Sequence, residues 1–144
     1  MNTLKIRNSA LPFLIVISIT IFFTSYSKKM RFEASREAPT AEGAVKYKKD
    51  KNDNYNIDLN LTNMVDPEKL DPPKNTYVVW METERNGTIK IGGLTTSSGI
   101  FSKKLKSSLE TTTPYKPLMF YITAENSKEV ERPGFQTVLK TKHY

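Results

Sequence analysis

The sequence predicts an all-β protein: an antiparallel, Ig-like β-sandwich of about seven strands, preceded by an N-terminal hydrophobic helix. Three observations carry this prediction. Tyr55, Ile57, Leu59 and Leu61 alternate with Asn56, Asp58 and Asn60, the period of two that turns one strand face to a core and the other to water. Turn-forming clusters at Asp50–Asn54, Arg85-Asn86-Gly87 and Pro133-Gly134 divide the chain at hairpin spacing. Beyond the N-terminal apolar segment, no long helical period interrupts them.

The first element is that apolar segment. Lys5 and Arg7 precede Ala10–Phe23, a run of 14 residues in which Ser18 and Thr20 are the only hydroxyls. Its length suits the apolar region of a signal peptide better than a full span of about 20 residues. Extended through Tyr26 it reaches 17 residues, the lower limit for spanning. Lys28, Lys29 and Arg31 follow it, so the charge asymmetry that orients a membrane helix is weak. The stretch Thr24-Ser25-Tyr26-Ser27-Lys28-Lys29 has no A-x-A cleavage site. It resembles the end of a bacterial lipoprotein signal, with Tyr26 where that signal has its cysteine. A phenol cannot carry a thioether-linked lipid, so the resemblance implies no lipid anchor. Residues 1–26 therefore read as a signal peptide or signal anchor, with the anchor slightly favoured. The expected location is outside the cytoplasm, either membrane-anchored through residues 10–26 and facing the periplasm, or cleaved and periplasmic or extracellular.

Residues 27–41 are polar without a sustained period and read as a flexible tether. The domain is expected over 42–144, as a fragment that folds alone. Val45 and Tyr47 start its first strand, and Asp50–Asn54 turns it into the strand 55–61. Pro67, Pro72 and Pro73 keep 64–73 out of any ladder, while Asp66 caps a single helical turn that begins at Pro67. Thr76–Thr83 is apolar on both faces at its centre, with Trp80 expected mid-core. Arg85-Asn86-Gly87 suggests a type I′ turn into the returning strand 88–94. Segment 99–106 is ambiguous, since Leu105 and Leu109 would suit a short helix equally well, and is read as a strand because Gly and Ser/Thr clusters bound it; 116–124 and 135–140 also read as strands.

Four pieces of this pattern carry a resemblance: Pro73–Thr83 around Trp80, Ile91-Gly92-Gly93-Leu94, Thr123-Ala124-Glu125, and Pro133–Leu139. They resemble a family of small exported, uncharacterised proteins of Bacteroidota-type bacteria. In their order they are more distantly similar to the extracytoplasmic domain of anti-sigma-K factors. The match covers about residues 73–140 and implies a sandwich in which Trp80 and Glu125 hold framework places. It does not imply sigma-factor binding, because such factors carry a cytoplasmic sigma-binding domain and only nine residues precede the apolar run.

The composition narrows the chemistry. There is no cysteine and a single histidine, His143, so disulfides, thiolate zinc sites, cysteine nucleophiles and histidine-based triads are excluded. Glu82 and Glu84 lie two positions apart on one strand end, which is unlike two carboxyls facing each other across a substrate. Asp50–Asn54 begins like a calcium loop, but Tyr55 and Leu61 stand where Gly and Glu are required, so a turn held by its own side chains explains it. Ser102 and Ser107 near Lys103, Lys104 and Lys106 show nothing that would depress a lysine. Gly92-Gly93 lacks a phosphate-loop pattern and reads as a bulge or a close backbone approach.

No catalytic, cofactor or metal site is expected. Lys46, Lys48, Lys49 and Lys51 are the candidate contacts to an anionic surface, against the simpler role of lysines that protect strand edges. The favoured function is a non-enzymatic interaction module of the cell envelope, its partner an envelope protein or glycan and not nucleic acid. An exported hydrolase or carbohydrate-acting enzyme, or a binder of anionic glycan or lipid surfaces, is the alternative.

Overall fold

The computed structural model describes residues 26–98 and 105–143. Among these residues nine strands form: β1 (Lys28–Glu33), β2 (Glu42–Lys49), β3 (Tyr55–Met64), β4 (Thr76–Thr83), β5 (Gly87–Gly93), β6 (Thr95–Ser98), β7 (Leu105–Thr113), β8 (Pro117–Glu125) and β9 (Thr137–Thr141). Every pairing is antiparallel, in one continuous sheet of order β5-β4-β8-β9-β1-β2-β3-β7-β6. The expected antiparallel all-β class holds. The expected seven-stranded Ig-like sandwich does not, because the strands do not separate into two sheets. Among the described residues no helix is long and apolar enough to cross a membrane; apart from Tyr26, the predicted segment 1–26 lies outside them.

Two corners turn this sheet into a nearly closed barrel. Lys28–Arg31 of β1 pair with β2, whereas Phe32 and Glu33 pair with β9. One strand thus passes from one half of the sheet to the other, as strands do at the corners of orthogonal packings. At the second corner only Leu94 separates β5, which pairs with β4, from β6, which pairs with β7. Leu94 N–H donates to the Tyr77 carbonyl at 3.0 Å, fixing the bend. Gly92 sits at a register shift with φ +152°, where a Cβ would stand 2.9 Å from Leu109 Cδ1. The glycine pair is therefore both the bulge and the close approach its sequence suggested.

Segment 27–41 is not a tether. It contains β1, and Met30, Ala38 and Ala41 are buried in the core. Its strand escapes notice in sequence because only Met30 points inward before the chain changes partner and only Phe32 after it.

The interior follows the period-two pattern elsewhere. Val45 and Tyr47 of β2, and Ile57, Leu59 and Leu61 of β3, face Tyr77, Val79 and Met81 of β4 and Phe120 and Ile122 of β8 in a common core. The Asp50–Asn54 turn forms as read: Asp50 Oδ1 accepts from the backbone N–H groups of Asn52 (2.8 Å) and Asn54 (3.0 Å). Asp66 likewise caps a 3₁₀ turn at Pro67–Lys69. The β4–β5 hairpin differs from the expected type I′ turn. Thr83 pairs with Gly87, leaving Glu84-Arg85-Asn86 as the loop. Gly87 has φ +65° and Asn86 is not among the positive-φ residues, the pattern of a three-residue loop closed by a glycine bulge.

Trp80 is buried, but on the other side of β4 from the common core. Its Nε1 donates to Thr123 Oγ1 at 2.8 Å, Thr123 Oγ1 donates to Glu125 Oε1 at 2.6 Å, and Gly134 N–H donates to the same oxygen at 2.7 Å. A Cβ on Gly134 would lie 2.8 Å from Glu125 Oε2. Lys90 Nζ donates to the Lys128 carbonyl, so the loop 126–136 is strapped over this second face. Trp80, Thr123, Glu125 and Gly134 are thus joined by one chain of hydrogen bonds.

The remaining strands differ at their ends. Residues 99–104 of the expected strand 99–106 lie outside the described residues, and β7 runs from 105 to 113 instead. The final strand begins at Thr137 rather than at Phe135, which is fully exposed.

Candidate binding surface

The outer face of β1, β2, β3 and β7 carries the side chains that the period of two turns away from the core. The register sets Lys29 opposite Lys46, Lys46 opposite Asp58, and Asp58 opposite Glu110. A charged row therefore crosses four strands with its positive half on β1 and β2 and its negative half on β3 and β7. Below it Lys48, Asn56 and Thr112 form a parallel row, in which Thr112 Oγ1 donates to Asn56 Oδ1 at 2.9 Å. Lys29 apart, these rows line an open depression of about 640 Å³ together with Ser27. Lys29, Arg31 and Lys46 line a neighbouring one of about 340 Å³ with Asn60 and Thr62.

The four predicted lysines do not make one patch. Lys46 and Lys48 share this outer face. Lys49 projects with the opposite parity at the strand end and pairs with Asp53 at 2.7 Å. Their hydrogen bond and mutual charge lower the Asp53 carboxyl and raise the Lys49 ammonium. Lys51 stands exposed in the turn. The structure adds Lys29 and Arg31, which sequence reasoning assigned to a tether; the alternation of Lys29 and Arg31 with Met30 and Phe32 was the available signal.

The two glutamates do not converge either. Glu84 pairs with Lys116 at 3.0 Å beside the β7–β8 turn, and Glu82 lies 3.9 Å from His143. Asp50 spends a carboxylate oxygen on its own turn, and no group of acids or histidines suited to a metal ion occurs among the described residues. Ser107 is buried against Thr96, their hydroxyls 3.1 Å apart, while Lys106 points outward. Ser102, Lys103 and Lys104 lie outside the described residues. No family model, curated protein or solved structure matches the chain.

Proposed function

We propose that this chain is a non-enzymatic interaction module of the cell envelope, exported through residues 1–26. Its partner surface is the bipolar outer face of β1, β2, β3 and β7. The observation that carries the reading is the order of charges across that face. Lys29 and Lys46 are direct cross-strand neighbours, as are Asp58 and Glu110. Like charges in that relation are destabilising. A surface needing only solubility gains nothing from segregating its signs, whereas a protein partner with the complementary stripe would read them as register and steering.

The test is a photoreactive residue placed at Asn56 or Thr112 of the full-length chain in cells, with Lys140 on β9 as control. A discrete adduct from the first two positions, absent from the control and reduced about tenfold by Lys46→Glu, is the expected result. Adducts from all positions alike, or from none, would overturn the reading. Intact mass after fractionation addresses export separately. A full-length mass in the cytosolic fraction alone would contradict it.

A further inference from the structure

One end of the barrel gathers features that, Lys48 apart, the interaction face does not use. The turns 50–54, 84–86 and 114–116 meet there, since Lys49, Asp53 and Tyr55 line one hollow with Glu84, Arg85, Tyr115 and Lys116. Lys28 pairs with Tyr47, so β1 starts at this same end. An extended chain advances at most about 3.6 Å per residue. The end of the apolar run at Phe23 is therefore no more than about 18 Å from Lys28.

We propose that this end of the barrel lies directly on the headgroups of an anionic phospholipid bilayer, a reading that rests on residues 10–26 acting as a membrane anchor. The charges fit. Lys28, Lys48, Lys51 and Arg85 surround this end, and none of them has an ion-pair partner among the described residues. Of the acids nearby, Asp53 and Glu84 are already paired with Lys49 and Lys116, and Asp50 accepts from its own turn. Among the described residues the loops at the far end have no such excess. In the loop 65–75 Asp66, Glu68 and Asp71 outnumber Lys69 and Lys74, and in the loop 126–136 acids and bases balance. The aromatics fit as well: Tyr26 and Tyr115, 81% and 38% exposed, are both at the basic end. Exposed tyrosine at a membrane–water boundary places its ring among headgroups, and juxtamembrane cations are drawn to anionic leaflets. Phe135, exposed at the far end, stands alone and forms no patch.

The chain contains no cysteine, so each introduced one is a unique label site. The full-length protein is reconstituted in vesicles of phosphatidylglycerol and phosphatidylcholine containing a headgroup spin-labelled lipid. A fluorophore is attached at Asn52→Cys or Asn86→Cys, and at Glu68→Cys or Glu131→Cys for the far end. The expected result is strong quenching at 52 and 86 and little at 68 and 131. That difference shrinks severalfold in phosphatidylcholine alone, at high salt, or in the chain carrying Lys48→Glu, Lys51→Glu and Arg85→Glu. Equal quenching at both ends of a bilayer-bound protein overturns the proposal and leaves the anchor intact. A chain that floats free of the vesicles overturns both.

Discussion

The indole of Trp80 is held by a chain of hydrogen bonds, and each link depends on the next. Thr123→Val keeps the shape of the site but removes the acceptor for Trp80 Nε1 and a donor to Glu125. Leaving a buried donor unpaired costs about 1–3 kcal/mol. The urea midpoint should fall accordingly, with the emission of this single tryptophan reporting the transition. A midpoint unchanged from the parent would show that the chain of bonds contributes nothing. Tyr77 supplies a pH signature. Its hydroxyl donates to the Val65 carbonyl at 2.7 Å, and burial, with a smaller push from the Asp66 charge, moves its pKa from 10.0 up to about 12. The folded pKa lies above the unfolded one, so this contribution is complete below pH 10 and disappears as pH rises through about 12. Tyr77→Phe should cost about 1 kcal/mol at neutral pH and flatten the alkaline part of the melting-temperature profile. An equally steep alkaline fall in the variant would assign the effect to another group.

At the scale of elements, the sheet depends on its irregular positions as much as on its ladders. Gly92→Ala meets both a backbone φ that side chains avoid and the Leu109 methyls, and overpacking of this kind costs about 1–3 kcal/mol. Pairing it with Leu109→Ala should recover the steric share and leave the conformational one, so the double variant should unfold at higher urea than additivity allows. Strict additivity would place the strain in the backbone alone. These elements also show what a sequence makes legible. The strand 55–61 and the turns at Asp50 and Asp66 were readable because their signals are local: apolar alternation, and carboxylates reaching their own backbone. The cross-strand charge row was not, since Lys29, Lys46, Asp58 and Glu110 become neighbours only through register. Residues 107–113 of β7 were not legible because its inward positions include Ser107, Thr111 and Thr113 as well as Leu105 and Leu109, so hydrophobicity does not alternate. Trp80 looked like the middle of the core because a strand apolar on both sides does not say which side faces which cover.

For the whole molecule, β1 decides where the domain begins. Without it β2 and β9 would each present an unpaired edge, the sites through which sheets aggregate, and Met30, Ala38 and Ala41 would leave the core. A fragment 27–144 should therefore melt cooperatively with a β-type circular dichroism spectrum. The fragment 42–144, which the sequence alone suggests as the domain, should aggregate or melt broadly. Identical melts of the two would mean that β1 is dispensable and the domain is the smaller one. β1 also joins the beginning of the fold to its end, since Phe32 pairs with Thr141. Contacts between distant parts of a chain form late and slowly. A chain made from its N-terminus cannot shut this barrel until its last strand has left the ribosome, so β1 must hold one edge open throughout synthesis and the seam with β9 is the last to close.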